Sequence, residues 1–158
     1  MRFLGIDPGT TRIGYGVIED SGAVLTPLAW GVLTTPGKDG QADKVSVAQQ
    51  CLELLNTWKP DAVGIERLFF LNNKKSAMPV SEMRGVLMLT LAQRALPIYE
   101  FTPLQVKQQV CGHGGAKKDQ VQHMVRMILR ISETIRPDDA ADALAIALCS
   151  SAAHRAPR

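Results

Sequence analysis

No run of apolar residues in this 158-residue chain approaches the ~18 that a membrane-spanning helix needs. The opening stretch, MRFLGIDPGTT, has no long apolar segment leading to a cleavage site, so it does not read as a secretory signal. These absences exclude a membrane partner and make the cytoplasm the expected compartment. Cysteine is sparse. Cys51, Cys111 and Cys149 are odd in number, far apart and not part of any close Cys/His cluster. That excludes a disulfide framework and a zinc site, and leaves small buried or half-buried thiols. No internal repeat and no low-complexity segment is visible. Neither charge sign dominates, the net charge being +3. Apolar residues at 46% and charged residues at 21% stand near globular averages, which excludes disorder.

What is present suits one domain over residues 1–152, with a short frayed tail over 153–158. Residues 2–7, 13–19 and 23–33 read as strands joined by tight turns at Pro8–Thr11 and Asp20–Gly22, an antiparallel meander. A loop over 34–41 leads to a helix over 42–58, with Val45, Val47, Ala48, Leu52, Leu55 and Trp58 on one broad face, stopped by Pro60. DAVGIE (61–66) is a short buried strand, and 67–75 an exposed loop. The helix over 76–95 is apolar on more than one side and should be buried on two faces. A fifth strand (97–101), a short helix (103–110), a Gly-rich loop (111–116), a helix over 117–131, a linker and a last helix from Asp138 to about 152 complete the order. A meander followed by alternating helices and strands predicts an α/β fold, a five-stranded mixed sheet flanked by helices on both faces.

Asp7 ends the first strand and Glu66 the fourth. A strand should not finish on a buried, unpartnered carboxylate, because desolvating that charge is costly. If the two strands are neighbours, the acids meet at one sheet edge and repel unless a cation lies between them. Asp139 and Asp142 in DDAADALAIA form a second pair at i, i+3 on one helix face. Asp138 is placed as the N-cap. Asp139 also has a plainer use, since an acid in a first helical turn favours the macrodipole. Four carboxylates from distant apolar segments suit a hard cation, Mg²⁺ or Mn²⁺. Two such ions ~3.5–4 Å apart can activate water against a phosphodiester. No Ser-His-Asp arrangement is visible around His113, His123 or His154. Basic residues gather mid-chain at Lys74, Lys75, Arg84, Lys107, Lys117 and Lys118, as a nuclease's phosphate-facing surface requires.

LGIDPGTTRIGYGVI, GIERLFF, QVKQQVCGHGGAKKDQVQHMV and DDAADALAIA, in this order, resemble the RuvC family of Holliday-junction endonucleases from Arg2 to about Ser150. The resemblance implies a ribonuclease H-like fold and makes Asp7, Glu66, Asp139 and Asp142 the metal-binding catalytic acids. It places Lys107 and Lys118 near the scissile strand, with Lys117 beside them. Phe69 matches an aromatic that stacks on a base at the junction. The adjacent Phe70 leaves open which ring stacks, or whether both plug a gap under the loop. Lys74 and Lys75 fit either phosphate contact or plain solvation. The implied reaction is symmetric hydrolysis of four-way junction DNA, leaving 5′-phosphate and 3′-hydroxyl; two symmetric cuts call for a two-fold homodimer, and the doubly apolar 76–95 helix is the best interface candidate. The implied partners are RuvA and RuvB. GIDPGTT also looks like the phosphate hairpin of the actin and sugar-kinase group, but those proteins need two lobes. A related nuclease acting on RNA, or a junction-binding protein without catalysis, would share part of this pattern.

Overall fold

The computed structural model describes residues 1–37, 40–67 and 74–156, with only the backbone described over 74–77. Its sheet holds five strands in the order β3-β2-β1-β4-β5. These are β1 (Arg2–Asp7), β2 (Arg12–Asp20), β3 (Leu25–Thr34), β4 (Ala62–Glu66) and β5 (Ile98–Phe101). β1, β2 and β3 pair antiparallel, as the tight turns between them dictate. β4 joins β1 in parallel and β5 joins β4 in parallel, each reached through a helical crossover. The helices are α1 (Gly40–Trp58), α2 (Lys74–Ala92), α3 (Pro103–Cys111), α4 (Lys118–Leu129) and α5 (Asp138–Arg155). The expected mixed sheet with helices on both faces is therefore what forms.

Side chains alternate across the pleat and build two cores. Phe3, Ile18 and Ala62 pack with α3, α4 and α5. Leu4, Ile6, Ile13, Val17, Val63 and Ile65 pack with α1 and α2. On α1 the buried set is Val47, Cys51 and Leu55, a four-residue spacing that draws one stripe down the helix. Val45, expected on that face, lies off the stripe and is exposed.

Helix α5 lies against the middle of the sheet more closely than ordinary side chains permit. A Cβ added at Gly5 would stand 2.0 Å from the Ala143 carbonyl oxygen, and one at Gly64 would stand 2.0 Å from Ser150 Oγ. Gly14 and Gly16 meet Asp139 and Leu144 in the same way. At Gly5, Gly14 and Gly16 strand backbone packs near the backbone of α5, and every residue from Ala143 to Ser151 is buried.

Three further expectations are corrected. Asp138 is the first residue of α5, and the N-cap position belongs to Pro137. Asp138 is exposed and turns toward Lys118. Helix α2 buries Met83, Leu87 and Leu91 on one side, while Met78 and Leu89 stay exposed, so a single chain does not bury it on two faces. Finally, α5 continues to Arg155 instead of fraying past 152. Tyr99 hydroxyl meets His154 Nδ1 at 3.0 Å, and Arg155 Nε donates to Asp20 Oδ2 at 2.7 Å. Buried Asp20 also accepts from Ser151 Oγ and from the Gly22 amide at 2.8 Å. The three thiols are free, with Cys51 and Cys149 buried and Cys111 half-buried.

Candidate active site

Asp7 and Glu66 each stand one residue beyond the Ile6–Ile65 pair of the parallel β1/β4 ladder. Both therefore sit at the carboxyl ends of adjacent central strands. They share the pleat phase of Phe3, Gly5, Ala62 and Gly64, the side covered by α5. The antiparallel partner of Asp7 is Gly14, and Gly14 is where the backbone of Asp139 rests. One helical turn on, Asp142 shares a shallow cavity with Glu66. The close packing of α5 on the strand glycines thus carries its first turn onto the strand ends and brings together the four acids named from the sequence.

Their electrostatics follow from that crowding. Burial, then the charges of Glu66, Asp142 and Asp139, push the Asp7 carboxyl up to about 8, against the pull of Lys118. Burial and Asp142 push Glu66 up to about 7. Asp142 is also raised, by burial first, although Lys118 pulls it down. Lys118 Nζ lies 3.1 Å from Asp142 and Arg12 Nε 3.5 Å from Asp139. Burial works against the Lys118 charge, but Asp142, Asp138 and Asp139 outweigh it and raise its pKa. Among the described residues, no three acidic, histidine or cysteine side chains are already drawn into a closed metal cage. Unneutralised carboxylates repel, and the two flanking cations take up part of the charge instead. An all-oxygen donor set with excess negative charge fits a hard divalent cation and suits neither zinc nor copper.

The remaining predicted residues divide. Lys107 and Lys118 line the cavity with Glu66 and Asp142, and Pro103, Val106 and Val121 form its apolar wall. Helix α3 is fixed there by Thr102, whose hydroxyl accepts from the Gln105 amide while Gln105 Oε1 accepts from the Thr102 amide. Lys117 is exposed just before α4 and does not line the cavity. Phe69 and Phe70 lie outside the described residues, as do the side chains of Lys74 and Lys75 at the start of α2. Arg12 is a site residue that the sequence reading misses. Its signal is its place at the start of the strand paired with β1, directly after the Pro8–Thr11 turn.

The sheet order, the helices on both faces and the acids at one strand edge define a ribonuclease H-like endonuclease. Residues 3–150 match the model of the family "Crossover junction endodeoxyribonuclease RuvC". The chain belongs to that family. It is 49% identical over 149 residues to the crossover junction endodeoxyribonuclease RuvC of Roseiflexus sp. (strain RS-1), covering 94% of this chain and 89% of the relative. To that of Natranaerobius thermophilus it is 47% identical over 156 residues, covering 98% and 97%. The structure of Thermus thermophilus RuvC in complex with Holliday junction substrate superposes with a TM-score of 0.91 at 37% identity, covering 98% of this chain and 95% of that one.

Proposed function

We propose that this chain is a structure-specific endonuclease that resolves Holliday junctions in recombination and repair. The observation that carries the reading is the convergence of Asp7, Glu66, Asp139 and Asp142 on one sheet edge beside Lys107 and Lys118, with Asp7 pushed up to about 8 by burial and then by crowded charge. Full-length likeness to a protein solved with its Holliday junction substrate supports the choice of DNA substrate. The four acids would hold Mg²⁺ or Mn²⁺, two per site. Such ions, when bound, activate water and neutralise charge on the phosphate in flight.

The chain's own residues do the rest. The carboxylates give up protons and supply oxygen donors. Lys118, released from Asp142 as the acids find other counter-charge, and Lys107, which lines the same cavity, would hold the scissile-strand phosphate. Pro103, Val106 and Val121 keep water from that side of the pocket. Phe69, or Phe70, would stack on a base where the arms separate, and such stacking contributes ~1–3 kcal/mol per base. Lys74, Lys75 and Lys117 would add phosphate contacts further out. One acid set per chain makes one cut, so paired cuts call for a two-fold dimer. The exposed Met78 and Leu89 on α2 suit that interface. RuvA and RuvB would deliver the junction, in the cytoplasm. Cleavage would leave 5′-phosphate and 3′-hydroxyl ends.

The test is a synthetic four-way junction incubated with the protein in Mg²⁺ or Mn²⁺, beside Asp7→Asn and a linear duplex. Wild type should nick opposite arms in pairs, and Asp7→Asn should bind without nicking. Equal cutting of linear duplex would refute junction selectivity. Binding with no product in either metal would favour a non-catalytic junction-binding protein.

A further inference from the structure

The groups that hold Glu66 in place lie on the opposite face of the sheet from its carboxylate. Glu66 ends β4, where its carbonyl is near the limit of the strand ladder and needs a donor. Arg84, in the middle of α2, supplies one, its Nε donating to the Glu66 carbonyl at 3.1 Å. The Arg84 side chain is only 19% exposed, and its Nη2 bonds Glu100 Oε2 on β5. In the β4/β5 register Glu100 pairs with Ile65, whose side chain faces the α1–α2 core, so Glu100 lies on the α2 side. Arg67, the residue after Glu66, turns to the same carboxylate at 3.8 Å, and its amide donates to the Phe101 carbonyl at 2.7 Å.

Fold stability alone does not call for this arrangement. A partly exposed ion pair, here with a third of the Glu100 side chain in solvent, contributes little net stability, because water screens its Coulomb gain and two long side chains must be ordered. What the pair offers instead is aim. Guanidinium is a rigid planar fork, and here one nitrogen is fixed by Glu100 while another holds a backbone oxygen. That oxygen belongs to a carboxylate residue facing the cavity. A metal-ligating group must be held within ~0.5 Å of its working place, and the partners behind the ligands do that holding.

We infer that Arg84, oriented by Glu100, is a positioning residue for the nuclease reaction: it fixes the strand end that aims the Glu66 carboxylate. This rests on the reading of Glu66 as a metal ligand. The Arg84 guanidinium is engaged by the Glu66 carbonyl and by Glu100, so its loss acts through Glu66.

The experiment compares full-length wild type, Arg84→Gln, Arg84→Lys and Glu100→Gln. The readouts are thermal melting, Mn²⁺ binding to the metal-free protein, junction affinity in EDTA, and single-turnover nicking at saturating junction. Arg84→Gln should weaken Mn²⁺ binding about tenfold and slow nicking ~10–100-fold, the usual loss when a partner behind a ligand is removed. Its junction affinity in EDTA should stay within about twofold, since the phosphate-facing lysines are untouched. Arg84→Lys should recover part of the loss, because an ammonium still pairs with Glu100. Glu100→Gln should shift Mn²⁺ binding in the same direction by about threefold, and it serves if Arg84→Gln fails to fold. Unchanged Mn²⁺ binding and nicking in the folded variants would overturn the inference. So would a loss of nicking that only tracks the unfolded fraction. A wild type that neither binds Mn²⁺ nor nicks would overturn the nuclease reading, and this inference with it.

Discussion

Replacing Asp7 by asparagine keeps the size of the side chain and removes its ability to ionise. In the native protein burial and three neighbouring acids raise this carboxyl from 3.8 to about 8. A group whose native pKa is raised binds its proton more tightly folded than unfolded. Metal-free stability therefore falls as pH rises from the ordinary carboxylate range toward the native value. At neutral pH the gap is ~3 pH units, and at 1.36 kcal/mol per unit that sets a ceiling near ~4 kcal/mol. Water reaching the open side of the cavity, and protons shared with Glu66, absorb part of it. The expected gain for Asp7→Asn at neutral pH in EDTA is about 2 kcal/mol, or roughly 4–8 °C in Tm for a domain of this size. The assay is thermal melting of both proteins across ~pH 4.5–8.5, with and without Mn²⁺. The difference should be small at the acid end, widen through neutrality and level off near the native pKa. Mn²⁺ should stabilise wild type selectively and narrow the gap. A mutant no more stable than wild type in EDTA, or a gap that ignores pH, would refute the crowding.

Divalent-metal affinity should climb with pH, because Asp7 near 8 and Glu66 near 7 must both lose protons to bind; Mn²⁺ titrations between ~pH 6 and 8.5 check this, and a flat profile contradicts it. Gly5→Ala should cost about 3 kcal/mol or more, since the new methyl meets the Ala143 backbone, and activity should fall further than folded fraction as Asp139 and Asp142 lift off the strand ends; chemical denaturation beside nicking assays measures both, and a neutral substitution counts against the close packing. Asp20→Ala should cost about 2 kcal/mol through the lost charge-assisted bonds. Those bonds, from Ser151, Gly22 and Arg155, outweigh burial and hold the Asp20 pKa below its ordinary value. Its contribution is thus complete above the ordinary carboxylate range and lost as pH falls through the lowered native value, so wild type and variant should converge in acid.

Much of this is legible in the chain because apolar periodicity and the acids sit together. The tight turns fix the meander, and strands ending at Asp7 and Glu66 point to a shared edge before their pairing is known. Helix ends are less legible. Asp138 looks like a cap, but Pro137 precedes it with extended backbone and takes that position. Val45 reads as core because counting apolar positions does not say which stripe meets a neighbour. The tail reads as frayed because HRAPR is polar, yet His154 and Arg155 find Tyr99 and Asp20, far away in the chain. Arg84 reads only as one more cation, since nothing in MRGVLML says that its fork will reach the Glu66 carbonyl. Such partners are long-range, and a single sequence leaves no local mark for them.

Helix α5 has 18 residues, a rod about 27 Å long at ~1.5 Å per residue. Its front end carries two of the acids, and its rear end is bolted by Arg155 and Ser151 to Asp20. A lever that long magnifies error: a tilt of ~5° about the rear bolt would swing the front by ~2 Å, several times the tolerance of a metal-ligating group. The polar bolt and the glycine bed are thus two bearings of one shaft, and the terminal turn, remote from any phosphate, keeps the cutting edge in true.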